Sequence, residues 1–151
     1  MNTYKIKLVS QTNAMLLIMI LLATLFGGIF LFVPQGLPKP LSITITFTGF
    51  IIAYVLWQKF VTGRTEWTIN KDGINMIWVK HFAFTNNKDI FIGWNEIKSI
   101  SRGFEPQYYN LKIELISGEI IRFYHDTLTT KDDFQEFLTA LNAKHSEKIS
   151  N

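Results

Sequence analysis

The chain has 151 residues, a formal charge of +3 and no cysteine. Without cysteine there is no thiolate ligand for a metal, and the composition is compatible with a reducing cytoplasm. The positive charge does not describe one surface. Four basic and no acidic residues precede position 62, while eleven basic and twelve acidic residues follow it. The later part therefore lacks the basic surplus of a nucleic-acid binder.

Residues 14–33 form an uncharged apolar run, and a second runs from Leu41 to Trp57. A bilayer's hydrocarbon core is about 30 Å thick and a helix rises about 1.5 Å per residue, so about 20 apolar residues cross it. The pattern predicts membrane spans over about 14–33 and 41–58. The first run is too long for a signal core and ends in Phe30, Leu31, Phe32 and Val33, poor neighbours for a cleavage site. The connector Pro34-Gln35-Gly36-Leu37-Pro38-Lys39-Pro40 cannot continue a helix. So short a link predicts an antiparallel hairpin with both chain ends on one side.

Lys5, Lys7, Lys59 and Arg64 flank the spans, against Lys39 in the connector. This asymmetry predicts a multi-pass protein of the inner (cytoplasmic) membrane with both termini cytoplasmic. Ser42, Thr46, Gly49 and Ala53 share one helical stripe in the second span, and Ala23 and Gly27 form a small-xxx-small pair in the first. Small residues let helix backbones approach closely, so these six are expected to pack the hairpin. Neither span carries an ionisable interior residue, which argues against transport by the hairpin alone.

From Glu66 the periodicity becomes that of strands. Strands are predicted at 66–69, 73–79, 89–94, 97–101, 111–115 and around 121–123, with Asp72-Gly73 supplying a positive-φ turn position. In the last hairpin, a three-residue loop Ile116-Ser117-Gly118 pairs Ile113 with Ile121 and Leu111 with Phe123, and places glycine at a left-handed bulge. Phe134, Phe137, Leu138 and Leu141 then make one apolar helical stripe behind an N-cap at Thr130. The tail from Lys144 is polar and expected to fray.

Trp67-Thr68-Ile69 with Asp72-Gly73-Ile74, the stretch Trp94-Asn95-Glu96-Ile97-Lys98-Ser99-Ile100, and Asp133-Phe134-Gln135-Glu136-Phe137-Leu138 resemble the bacterial pleckstrin-homology-like domains. In that family such domains often follow a transmembrane hairpin. The resemblance implies a seven-stranded bent sandwich or barrel capped by a C-terminal helix. The expected organisation is a tail and hairpin over 1–61, a cytoplasmic domain over 62–143 and a flexible tail over 144–151: an α+β membrane protein. Eukaryotic lipid-binding relatives carry a basic pair in the first hairpin loop, whereas Asn70-Lys71-Asp72-Gly73 holds one lysine beside an aspartate. Only a general binding or scaffolding role carries over.

No catalytic constellation is legible. His81, His125 and His145 lack a second ligand at metal spacing, and His125-Asp126 reads as a strand-end turn before it reads as an acid–base pair. There is no phosphate loop and no nucleophile elbow. No enzyme activity, cofactor or metal is expected. Candidate partner or headgroup contacts are Phe104, Tyr108 and Tyr109 on an aromatic loop, with Lys98, Arg102 and Arg64 as outward charges. The expected function is a membrane-anchored, non-enzymatic module that recruits or regulates a protein partner. The alternatives are an immunity-type protein that neutralises a toxin and a sensor of anionic lipid headgroups.

Overall fold

The computed structural model describes residues 2–32, 36, 38–105, 108–126 and 132–149. It is an α+β structure in two compact units. One comprises Met1–Val9 with Thr62–Asn151, and the other is Ser10–Val61.

The first unit is a seven-stranded antiparallel sheet. Its strands are β1 (Thr3–Val9), β2 (Thr62–Ile69), β3 (Gly73–Lys80), β4 (Ile90–Gly93), β5 (Ile97–Glu105), β6 (Tyr108–Leu115) and β7 (Ile120–His125), in the order β4-β3-β2-β1-β7-β6-β5. The strand at its centre comes from the N-terminus. Tyr4, Ile6 and Leu8 point into the core while Thr3 and Lys5 are exposed, the alternation of a half-buried strand. The sheet domain therefore begins at Thr3 and not at residue 62. Lys5 and Lys7 are strand residues, and the apolar segment interrupts the sheet between two adjacent, fully paired strands instead of preceding it.

α3 (Phe134–Ile149) covers the core. The expected stripe Phe134, Phe137, Leu138 and Leu141 is buried in full. Trp67 meets Phe123 edge-on at 4.8 Å and lies 4.9 Å from Phe137, whose ring also meets Tyr4 at 5.6 Å. The indole Nε1 of Trp67 donates to Thr65 Oγ1 at 2.8 Å, and that hydroxyl donates to the Ile6 carbonyl at 3.0 Å. The indole N–H of the aromatic cluster is thus satisfied. α3 starts with the Phe137 amide on the Asp133 carbonyl, so Asp133 occupies the cap position; the expected cap Thr130 lies outside the described residues. The helix continues to Ile149 across the segment expected to fray, where Lys144 pairs with Glu147.

The β6–β7 hairpin has the expected register, with Leu111 opposite Phe123 and Ile113 opposite Ile121. Gly118 adopts φ +87°, the left-handed conformation that L side chains resist. Gly73 differs from expectation. Its φ is not positive; an added Cβ would instead lie 2.2 Å from the Ile92 carbonyl oxygen, so close approach of β4 selects glycine there. The tryptophan motif is structural. Trp94 is buried, its Nε1 donates to the Asn70 carbonyl at 2.9 Å, and the Glu96 carboxylate accepts the Gly93 amide at 3.0 Å.

The second unit holds α1 (Gln11–Phe32) and α2 (Lys39–Leu56), followed by a π-helical turn over Trp57–Val61. Both helices are long and apolar enough to cross a membrane. Ser10 caps α1 through its hydroxyl, and its amide donates to the Val61 carbonyl at 3.0 Å; Asn13 Nδ2 donates to the Phe60 carbonyl at 2.9 Å. The small-residue packing differs from expectation. Ala23, Gly27, Ser42, Thr46 and Gly49 are exposed and Ala53 is half-buried, and a Cβ added at Gly27 or Gly49 meets nothing within 4 Å. Instead Thr46 returns its hydroxyl to the Ser42 carbonyl one turn back.

Two substitutions test this core. Phe137→Ala is expected to cost about 3–5 kcal/mol and Gly118→Ala about 1–2 kcal/mol. Both are read as earlier unfolding midpoints of the purified full chain by tryptophan fluorescence.

Candidate functional site

Two groups of polar side chains stand out in the sheet unit. The first closes the edge of β1. On one side β1 pairs with β2 along its whole length, but on the other it meets β7 only where Leu8 faces His125. Two further amides on that side find side-chain partners, one exposed and one part-buried. The Lys5 amide donates to Asp133 Oδ2 at 2.8 Å and the Lys7 amide to Asp132 Oδ2 at 2.9 Å. The Lys7 and Lys5 carbonyls accept the amides of Asp126 and Asp133. Lys7 Nζ also lies 3.5 Å from Asp126 Oδ2, with both side chains buried.

His125 completes this junction. Its Nε2 lies 2.8 and 2.9 Å from the two Asp132 oxygens, and its ring stacks on Phe134 at 4.1 Å and 7°. Burial pushes the Asp132 carboxyl up. The hydrogen bonds from His125, the Lys7 amide and the Phe134 amide, with the charge of His125, outweigh that and hold it below the usual aspartate range. A histidine–aspartate pair is an acid–base motif, but this imidazole is only 6% exposed and lies against Phe134. Its partner carboxylate is committed to backbone amides. The arrangement fastens β7 and α3 to β1.

The second group is a row of cations. Lys7, Arg64 and Lys80 sit directly opposite one another on β1, β2 and β3. Burial, then the charges of Arg64 and Lys7, hold the Lys80 ammonium below its ordinary range. Directly opposed like charges on a sheet are unfavourable, and in this row Lys7 is offset by the buried Asp126 carboxylate. Beyond Lys80 the chain turns through aromatic residues. Trp78 stacks on His81 at 5.8 Å and meets Phe82 edge-on at 5.0 Å, and its amide donates to Asp89 Oδ1 at 2.8 Å. Phe84 is 88% exposed and adopts φ +62°. That conformation costs a non-glycine residue about 1–2 kcal/mol.

The six residues singled out from sequence do not form one site. Arg64 lies on β2, while Lys98, Arg102, Phe104, Tyr108 and Tyr109 lie on β5 and β6, with β1 and β7 between. Lys98 is engaged by Glu114, whose carboxyl that ammonium holds below its usual range. Arg102 is exposed, as expected, but lies two residues beyond Ile100 and opposite the buried Leu111, so the strand period puts it on the same row as Ile100 at the sheet edge. The expected aromatic loop is mostly strand: Phe104 pairs with Tyr109 and Glu105 with Tyr108. Sequence reasoning missed Lys7, Lys80, Asp132 and Phe84. The available signal was the alternation of Tyr4, Ile6 and Leu8, which marks a strand but not its partner.

A groove lined by Tyr4, Ile69, Ala140, Ala143 and the Lys144–Glu147 ion pair opens elsewhere in this unit. Among the described residues, no group of three histidine, aspartate or glutamate side chains is placed to hold a metal ion. No family model, curated protein or solved structure matches the chain.

Asp132→Asn tests the junction. The folded carboxyl releases its proton more readily than an unfolded one, so its contribution is full above the ordinary aspartate range and is lost as pH falls through the lower folded value. The variant is expected to lose about 1–3 kcal/mol near pH 7. That deficit closes on acidification, as followed by denaturant unfolding at a series of pH values.

Proposed function

We propose that the chain is a membrane-anchored, non-enzymatic binding module of the inner membrane, with its sheet domain and both termini in the cytoplasm. The observation that carries this reading is the nature of the inserted unit. Its two helices leave large apolar side chains in the open: Met15, Phe47 and Phe50 are each about 70% exposed. A core helix of a soluble protein would bury them, and water penalises contiguous apolar surface of this extent. α1 has 22 residues, or about 33 Å at about 1.5 Å each, enough to span the hydrocarbon core. A cut behind α1 would also remove β1 from the middle of the sheet, which disfavours a cleaved leader.

Because Val9 and Thr62 are paired neighbours, the chain leaves the sheet and re-enters it at one end. That suits an antiparallel hairpin with the whole sheet on one side of the bilayer. Lys59 and Arg64 at this end, against Lys39 in the connector, favour the cytoplasmic side. Seven antiparallel strands and a C-terminal helix support the pleckstrin-homology-like resemblance, with the hairpin inserted after the first strand as a departure from it. Ile77 and the edge-strand residue Phe91 are exposed apolar side chains that suit a protein partner. Tethering to the membrane raises the effective concentration of such a partner without high intrinsic affinity.

Capture of the full chain from detergent-solubilised membranes tests the proposal. A specific protein partner is expected to co-purify, with its recovery falling about tenfold for Ile77→Glu or Phe91→Glu, a loss of about 1.4 kcal/mol. Recovery of no partner together with turnover of a substrate would overturn it.

A further inference from the structure

We infer that the outer face of β5, β6 and β7 is a docking surface for an acidic segment of a protein partner, whose carboxylates sit on Lys112 and Arg122. The inference rests on the proposed binding module and deepens it by naming the chemistry of what the module recruits.

Strand register builds the surface. Ser101, Lys112 and Arg122 sit directly opposite one another on β5, β6 and β7. The strand period turns them away from the buried Leu111, Ile113 and Phe123, so the three share the outer face. Neighbouring strands lie about 4.8 Å apart, which sets an ammonium beside a guanidinium with a hydroxyl next in line. Ser101 and Arg122 are exposed and Lys112 is half-buried.

Directly opposed cations disfavour the strand pairing that holds them. Among the described residues neither Lys112 nor Arg122 forms an ion pair. Glu114 lies two residues from Lys112 on the same face, but the Lys98 ammonium and the Ser99 hydroxyl take its carboxylate. Lys112 acts on it through charge alone. The fold thus keeps a pair of like charges that an anion from outside would relieve. A guanidinium suits a carboxylate in particular, because it offers two parallel N–H donors.

The surroundings select a protein segment. Ile120 lies two residues before Arg122 on the same strand and is 42% exposed, and the half-buried Tyr124 lies two residues after it. An acidic segment with an apolar residue beside its carboxylates matches both features. A nucleic acid or an anionic bilayer spreads its charge over a wide area and would meet Glu114 on the same face. The chain from position 62 onward also has no basic surplus to hold such a polyanion.

The test titrates the purified full chain in detergent into a fluorescent, end-blocked peptide of alternating glutamate and leucine, read by anisotropy. The peptide is expected to bind, and more weakly as salt rises. Its affinity is expected to fall about tenfold or more for Lys112→Gln with Arg122→Gln. The same peptide with glutamine for glutamate is expected not to bind. The double variant is expected to unfold no earlier than the parent chain, since it removes a like-charge contact. No binding of the acidic peptide, equal binding of the glutamine peptide, or affinity unchanged in the double variant overturns the inference. Earlier unfolding of that variant does so too, because the two cations would then serve the fold. Preference for an oligothymidine strand or for phosphatidylglycerol nanodiscs, lost in the same variant, overturns the choice of partner. A captured protein lost with Ile77→Glu but kept by the double variant overturns this inference and leaves the binding module standing. Substrate turnover with no captured partner overturns both.

Discussion

The structure depends on β1 being held from both sides. A strand at the N-terminus, separated from its first partner by the whole of Ser10–Val61, is the middle strand of the sheet. β2 supplies one full ladder. On the other side the ladder with β7 is almost absent, and the carboxylates of Asp132 and Asp133 accept the amides that a neighbouring strand would have taken. An unsatisfied buried amide costs about 1–3 kcal/mol, a cost that Asp132 removes at the part-buried Lys7 amide, while Asp133 holds the exposed Lys5 amide. They also tie the start of α3 to β1 and so set the helix that covers Trp67 and Phe123.

This arrangement has consequences for folding order. β1 precedes α1 and α2, but its partners lie far along the chain. β2 follows only after the two apolar helices, and the Asp132 and Asp133 contacts span more than 120 residues. Loop-closure entropy rises slowly with length, so the insertion is thermodynamically tolerable. Its kinetic effect is larger, because non-local pairing has to wait for distant segments. If the helices enter a bilayer first, as proposed, they bring Val9 and Thr62 together and turn the longest closure into a local one.

Much of the fold was legible from local pattern. The β6–β7 register followed from which residues must face inward, since a slip of one residue would send Ile113 and Leu111 to solvent. The helix stripe was legible for the same reason. Both signals are local, strong and unopposed. The first strand was missed because a stronger signal stood beside it. Lys5 and Lys7 next to a long apolar run read as membrane flanks, and the alternation of Tyr4, Ile6 and Leu8 carries less weight over only seven residues. The bulge between Ile97 and Ser99 is what lets Ile97 and Ile100, three residues apart, both face the core, and sequence alternation cannot register it. Gly73 looked like a turn glycine, but its constraint is a carbonyl oxygen from β4, which no local pattern contains.

The candidate site was less legible than the fold because it is assembled across strands. Lys7, Arg64 and Lys80 are unremarkable singly and become a row only once β1 is seated beside β2. Asp132 acts on β1 through a contact 125 residues away in sequence, which no local pattern contains. The central claim is therefore that residues 3–9 are an interior strand, and hydrogen exchange of the full chain measures this directly. The account expects the amides of Lys5 and Lys7 to be protected as strongly as those of Trp67 and Thr68. Exchange of residues 3–9 at the rate of an unstructured tail, with β2 still protected, would contradict it.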